Sequence, residues 1–428
     1  MDTNDLIVVE GGHPISGVVA AGGAKNSVLK LMAACVMASG ETRLDNVPAI
    51  SDVAIMEQVL TVIGARVTHG DERGLDKHSL FIDTSNLTSY ETPYELVAKM
   101  RASISILGPL ITRFGRARVA MPGGCQIGSR KLDMHIASLE SLGVVFEMDH
   151  GFIEATTPNG LKGTEVVLDF PSVGATENLM MAAVRAQGTT IIRNAACEPE
   201  IVDLASFLTS MGADISNAGT PNITIVGVES LHSTSHRTCG DRIEAGTFLT
   251  AGALMGGPVT VTGISPDYLA MAIKKLRAMG CTVETTEDSI TVSRTEPLQA
   301  CDIQTLPHPG FPTDLQAQFM VLCALAQGNS VITENVFENR FMFAAELGRM
   351  GADIRIDSHH ALISGVEGLS GAPVSSTDLR GGAALVIAGL IADGETTVGE
   401  IGHIDRGYED YVGKLRSLGA VISRISTE

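Results

Sequence analysis

One phrase recurs six times along this chain. A helix-like stretch ends in glycine and an alternating strand follows: VIGARV at Gly64, SLGVVF at Gly143, SMGADI at Gly212, AMGCTV at Gly280, RMGADI at Gly351 and SLGAVI at Gly419. The spacings are 79, 69, 68, 71 and 68 residues, so six copies account for almost all of the 428. A fixed period of this kind means one supersecondary unit used repeatedly. Each glycine falls just past a helix end, where left-handed backbone is the usual stop. Upstream lies a β-rich phrase: TRLDNV, ARVAM, TTIIRNA, VTVTGI, SVITENV or TTVGEI. Before that comes an apolar helix of small residues: SVLKLMAACVMA, SISILGPLITRF, TENLMMAAVRAQ, EAGTFLTAGALM, LQAQFMVLCALAQ or GGAALVIAGLIA. A helix that is apolar all round belongs inside a domain. Aromatic residues are 4% and tryptophan is absent, so Ala, Val, Leu, Ile and Met must fill the core.

The repeat predicts an α/β fold: a buried helix, a strand, an outer helix and two more strands. Six units divide most simply three and three, each domain being three sheets around three buried helices. The boundary falls near Thr238–Asp241. The opening strands Leu6–Glu10 and Gly17–Ala20 precede the first helix and are expected to complete the last repeat. One domain is then discontinuous, residues 1–24 plus 240–428, and the other spans 25–239 and carries Cys125. A ligand site is expected in the cleft between two such domains.

A net charge of −19 argues against a nucleic-acid or anionic-membrane surface, each of which wants a basic face. A small anion held by a few converging cations is still allowed. The seven cysteines show no C-x-x-C spacing, which speaks against zinc. The odd count and the lack of a signal-like start point to reduced thiols in the cytosol. Runs such as Val28–Ala38 are too short to span a bilayer.

The chemistry gathers in PGGCQIGSRKLDMHI, residues 122–136. Pro-Gly-Gly makes an irregular turn at the surface. Its thiol, Cys125, has Arg130 and Lys131 five and six residues on, and cations favour the thiolate. A free cysteine is more often a small buried hydrophobe, but this one has no apolar face around it. The helix starts are the second concentration. Gly22-Gly23-Ala24-Lys25-Asn26-Ser27 places a glycine turn at a helix N-terminus, where free N–H groups attract an anion. Arg101, Asp241, Asp314 and Arg380 stand at other helix starts, and Ser172-Val173-Gly174 opens the third helix. For each residue alone, a cap or a surface ion pair is the plain alternative.

At GAKNS, MRASI, PGGCQIGSRKLDMHI, SVGAT, EPEIVD, DRIEAGTF, HPGFPTDLQAQF, TENVFENRF, TDLR and HIDRGYE, the chain resembles the UDP-N-acetylglucosamine enolpyruvyl transferases from end to end. The resemblance implies two inside-out α/β barrel domains built from six repeats. It implies transfer of the enolpyruvyl group of phosphoenolpyruvate to the 3-hydroxyl of UDP-N-acetylglucosamine, the first committed step of peptidoglycan synthesis. The implied setting is the bacterial cytoplasm, with no metal or organic cofactor. By the same resemblance Cys125 is the proton donor to C3 of the enol and the target of the epoxide fosfomycin. Asp314 takes the proton of the sugar hydroxyl. Lys25, Asn26, Arg130 and Arg406 hold phosphoenolpyruvate, with Lys25 and Arg406 at the reacting centre. Arg101, Arg130, Lys131, Leu132, Asp133, Met134, Ser172, Val173, Asp314 and Val336 line the nucleotide-sugar site. One departure is Phe170, where the family often has a lysine. Two other readings are the sister enzyme acting on shikimate 3-phosphate, which lacks the PGGC loop, and a non-catalytic binder of UDP-sugars.

Overall fold

The computed structural model describes residues 5–97, 101–121 and 132–426, with backbone alone at 97, 101–103 and 149. They group into two compact units. A terminal unit holds residues 5–22 and 240–426, and a central unit holds the described residues between 23 and 239. Gly23 and Ala24 go with the central unit.

In the terminal unit three helices, Arg242–Met255, Gln316–Ala324 and Leu379–Ile391, pack against one another inside three four-stranded sheets. Every residue from Leu379 to Leu390 is buried, and of Arg242–Met255 all but the last. The central unit repeats the plan with helices Lys25–Ala34, Leu107–Phe114 and Val173–Ala183. It has two four-stranded sheets and one of three strands. Each unit has its own apolar core. The largest fully buried side chains include Phe248, Phe311, Phe319 and Phe343 in one, and Phe207 in the other. Each such ring removed from water stabilises by about 1.5–3 kcal/mol.

The outer helices end as the repeat predicts. Gly64, Gly143, Gly212, Gly280, Gly351 and Gly419 all have φ between +92° and +105°, and all but Gly280 follow a right-handed cap residue. A side chain there would meet the strain that only glycine avoids.

The sheets explain how the chain closes. In every sheet but that of the second repeat, the first strand of the repeat lies between an antiparallel partner and a short parallel strand delivered by the neighbouring repeat. For the sixth repeat the central strand is Glu395–Gly399, and its antiparallel partner is Asp5–Glu10 from the chain start. Asp5–Glu10 also pairs along Val421–Ser426 at the chain end. The expectation for Gly17–Ala20 is corrected here. It runs parallel to Val259–Thr262 of the fourth repeat, not to the sixth. It supplies the short parallel strand that Ile303–Gln304 and Pro373–Ser375 supply to the other two sheets. In the central unit Ser235–Arg237 returns in the same way to Glu41–Asp45. Each unit is thus a closed ring of three repeats.

Close helix-to-sheet approach depends on small residues. A Cβ on Gly252 would lie 2.8 Å from Val259 Cβ and 2.8 Å from Val292 Cγ1. A Cβ on Gly348, exposed on an outer helix, would meet nothing within 4 Å. Gly252→Ala should cost about 1–3 kcal/mol by overpacking, whereas Gly348→Ala should stabilise by about 0.5–1 kcal/mol through helix propensity. Denaturant midpoints of the two variants check this, and equal midpoints would contradict the packing account.

Candidate active site

In the central unit the turn that opens the first buried helix is clamped from several sides. Gly23 lies so close to Asn46 that a Cβ would fall 1.7 Å from its carbonyl oxygen. The Ala24 N–H donates to the Cys239 carbonyl at 2.8 Å. Lys25 is the first residue of the helix, and its Nζ is 3.0 Å from Asp52, a carboxylate 1% exposed. Ser27 donates to Asp203, which also accepts from the Cys239 N–H at 3.3 Å and pairs with His236 Nε2 at 2.8 Å. Lys30 Nζ donates to the Asn26 carbonyl at 2.7 Å and pairs with Glu177 at 3.4 Å. The backbone at Lys25-Asn26 is therefore held by contacts within the unit. Asp52, Asp203 and Glu177 carry this role and were not singled out from sequence. Each pairs across a long loop, so no local spacing marks it.

Glu177 is fully buried, with Glu200 and Glu198 nearby. Burial pushes its carboxyl up to about 7. The Lys30 charge opposes the rise, and the repulsion of Glu200 and Glu198 adds to it. Three thiols are also shifted: burial pushes Cys35 and Cys323 up to about 12 and Cys281 to about 11. These are inert core hydrophobes, the ordinary fate of a cysteine.

The nucleotide-sugar candidates of this unit fall on three segments. Arg101 opens the 3-10 turn Arg101–Ile106. Leu132 caps the helix Asp133–Ser141, where Asp133 accepts from the Met134 N–H at 2.9 Å. Ser172 caps the third buried helix by accepting from Ala175 N–H at 3.4 Å, and Val173 begins it. Leu132, Met134 and Val173 also pack against the core, so each serves the fold as well. Phe170, standing where a cation was looked for, is 38% exposed. Cys125, Arg130 and Lys131 lie outside the described residues.

In the terminal unit Asp314 sits in the 3-10 turn Thr313–Leu315 at the mouth of the fifth helix. Its two oxygens are held separately: Oδ1 by Arg340 Nη2 at 2.8 Å and Oδ2 by Arg380 Nη2 at 3.1 Å. Both guanidinium groups are about 4% exposed, and each has a buried Nη1 with no acceptor among the described residues. Unspent donors at such burial are costly unless an anion meets them. Asp378 sets Arg380 by accepting from its N–H at 2.9 Å as the helix cap. Asp241 serves its own helix likewise, through Ile243 and Glu244 N–H groups.

Val336 joins the same region through Glu334, a buried residue missed in the sequence. Glu334 accepts from the Val336 N–H at 2.8 Å and from the Thr313 hydroxyl at 2.9 Å, so the turns bearing Val336 and Asp314 share one carboxylate. Arg406 caps the short helix Gly402–Asp405. Asp405 is gripped by both terminal nitrogens of Arg424 at 3.0 Å, and Arg424 Nε reaches Asp5 at 2.9 Å. The hydrogen bonds from Ser426 and Arg424 hold Asp5 below the usual carboxylate range. The Arg406 turn is thereby tied to both ends of the chain.

The raised value at Glu177 has a sign that can be tested. Its folded value lies above the ordinary 4.5, so the stability that it contributes is complete below about pH 4.5 and is lost as pH rises through about 7. Glu177→Gln fixes a neutral side chain. It should match the wild type near pH 5 and exceed it by up to about 3 kcal/mol at pH 8. Denaturant titrations at the two pH values check this, and a difference independent of pH would remove the assignment.

The family model described as EPSP synthase (3-phosphoshikimate 1-carboxyvinyltransferase) matches residues 9–415. UDP-N-acetylglucosamine 1-carboxyvinyltransferase 2 of Carboxydothermus hydrogenoformans is 53% identical over 424 residues, 99% of this chain and 100% of the relative. UDP-N-acetylglucosamine 1-carboxyvinyltransferase 1 of Staphylococcus aureus is 50% identical over 423 residues, again 99% and 100%. The crystal structure of the enolpyruvyl transferase NikO from Streptomyces tendae superposes with a TM-score of 0.88 at 27% identity, covering 100% of both chains. EPSP synthase of Acinetobacter baumannii gives 0.75 at 17% identity, over 99% of this chain and 100% of that one, a likeness of fold alone. The chain belongs to the EPSP synthase family, among the members that carry the name UDP-N-acetylglucosamine 1-carboxyvinyltransferase.

Proposed function

We propose that this chain transfers the enolpyruvyl group of phosphoenolpyruvate to the 3-hydroxyl of UDP-N-acetylglucosamine, releasing phosphate. The observation that carries the reading is Asp314 fixed between Arg340 and Arg380, each with a buried donor to spare. A carboxylate placed to take a hydroxyl proton, beside donors placed to take an anion, suits an alcohol adding to an anionic enol. The relatives at 50–53% identity carry the name of that activity.

The chemistry assigns each residue a task. Cys125 delivers a proton to C3, which makes C2 electrophilic. Asp314 accepts the proton of the sugar 3-hydroxyl as its oxygen bonds to C2. The C–O bond to phosphate then breaks while C3 gives up a proton, restoring the double bond. Lys25, Asn26, Arg130 and Arg406 hold the charged groups of phosphoenolpyruvate. Arg101, Arg130, Lys131, Leu132, Asp133, Met134, Ser172, Val173 and Val336 receive the nucleotide sugar, with Asp314 at its hydroxyl. In the cell this is the first committed step of peptidoglycan synthesis in the bacterial cytoplasm, and so it bears on cell shape and division.

Phosphate release from phosphoenolpyruvate should require UDP-N-acetylglucosamine and should not occur with shikimate 3-phosphate. Release with the second acceptor alone would overturn the reading. Cys125→Ala should lose about 10²–10⁴-fold in kcat near neutral pH, the usual worth of a general acid. Fosfomycin should add its mass to the peptide carrying Cys125, and an unmodified peptide after exposure would count against the thiol's role. Asp314→Asn should likewise lower kcat by about 10²–10⁴-fold with a smaller change in the KM for phosphoenolpyruvate. Full turnover in that variant would place the base elsewhere.

A further inference from the structure

The second buried helix of the central unit is not one continuous α-helix. A 3-10 turn, Arg101–Ile106, gives way to α-helix at Leu107–Phe114. In an unbroken α-helix the Gly108 N–H would bond the Ile104 carbonyl. Here the side chain of Asn178, fully buried on the third helix, meets both groups. Its Oδ1 accepts from the Gly108 N–H at 3.0 Å, and its Nδ2 donates to the Ile104 carbonyl at 3.1 Å. A side chain inserted into the hydrogen-bond ladder is a recognised cause of a helix break.

Those two contacts fix the orientation of the amide, because a backbone N–H can only donate and a carbonyl can only accept. The remaining Nδ2 hydrogen points to Nδ1 of buried His135 at 3.0 Å. Nδ1 must therefore accept, which places the ring proton on Nε2. Two glycines make room. A Cβ on Gly108 would lie 2.7 Å from the Asn178 carbonyl oxygen, and one on Gly174 would lie 3.0 Å from His135 Cε1. Thr112 continues the seam, its hydroxyl donating to the Met181 carbonyl at 3.1 Å.

The three segments joined by this amide are those that bear the central unit's nucleotide-sugar candidates. Arg101 opens the 3-10 turn. Leu132, Asp133 and Met134 lead the helix of His135. Ser172 and Val173 open the helix of Asn178 itself. We propose that Asn178 is a positioning residue for the nucleotide sugar, its amide holding these three segments in one arrangement. It does not touch substrate, and it acts through backbone and His135. The proposal rests on the acceptor assigned above.

The test is steady-state kinetics of Asn178→Leu, which keeps the volume and removes the amide, together with hydrogen exchange of the peptide containing Gly108. The KM for UDP-N-acetylglucosamine should rise about tenfold or more, as expected when positioning is lost. The KM for phosphoenolpyruvate should change far less, and exchange at Gly108 should speed up. An unchanged KM for the nucleotide sugar would overturn the proposal, as would an equal rise in both KM values, which is what general loosening produces. A pair at His135 keeps the question decidable if the leucine variant does not fold. His135→Asn presents an oxygen where Nδ1 stood and should hold the KM near the wild-type value, whereas His135→Leu should raise it. Equal values for the two would overturn the proposal. If wild-type enzyme does not use UDP-N-acetylglucosamine at all, the assigned reaction fails, and Gly108 exchange still reports whether the amide holds the break.

Discussion

A helix enclosed on every side must pair any polar side chain in its middle, and it leaves its other polar groups at its ends. That constraint governs each unit. Arg242–Met255 and Leu379–Ile391 bury nearly every residue, glycines and alanines included, because three sheets close around them. Where the middle of the first is polar it is paired, Thr247 with Tyr408 at 2.9 Å and Gln318 at 3.0 Å. The helix N-termini present N–H groups outside the helical ladder and the positive end of the dipole. The caps Ser172, Asp241 and Asp378, the cation Lys25 and the carboxylate Asp314 all stand there. A fold that hides its helices therefore concentrates its polar groups at one rim of each ring.

Charge gathered at such a rim must be paired, since an unpaired buried ion costs several kcal/mol. The central unit answers with carboxylates: Asp52 on Lys25, Glu177 on Lys30, Asp203 on Ser27 and His236. The terminal unit answers with guanidinium groups on Asp314. In both cases the pairing is incomplete among the described residues. Glu177 is left short of hydrogen bonds, and Arg340 and Arg380 each keep a buried donor. Within a well-packed core such shortfalls are rare.

The repeat, the stop glycines and the all-apolar helices were legible in the sequence because each is written within a single stretch of chain. A glycine at a helix end is a local statement, and so is a run without a polar face. Lys25 and Asp314 were legible as helix starts for the same reason. The clamp on Asp314 was not, because Arg340 and Arg380 lie 26 and 66 residues away. Nor was Glu334, whose role appears only when two turns fold onto it. Gly17–Ala20 was read into the sixth repeat because it follows Asp5–Glu10 directly. The structure parts them, since a parallel edge strand can only be supplied to the next repeat round the ring. Asp241 illustrates the opposite case. It stood at a helix start like Asp314, and its Oδ1 is used in capping.

The second repeat departs furthest from the others. The spacing before its marker glycine is 79 residues against 68 to 71 elsewhere. Among the described residues its sheet has three strands, with a Glu91–Arg118 bridge where the short parallel strand would run. Its buried helix is broken by Asn178. It also carries the PGGC stretch with Cys125. Six copies of one unit are held to a common pattern by packing, and a copy escapes only where something else is gained. Locally inconsistent features are expected at functional sites for that reason. The irregular repeat combines a broken helix start, a side-chain amide in place of a backbone bond and the stretch that bears Cys125. The regular five supply the frame that keeps that irregularity affordable.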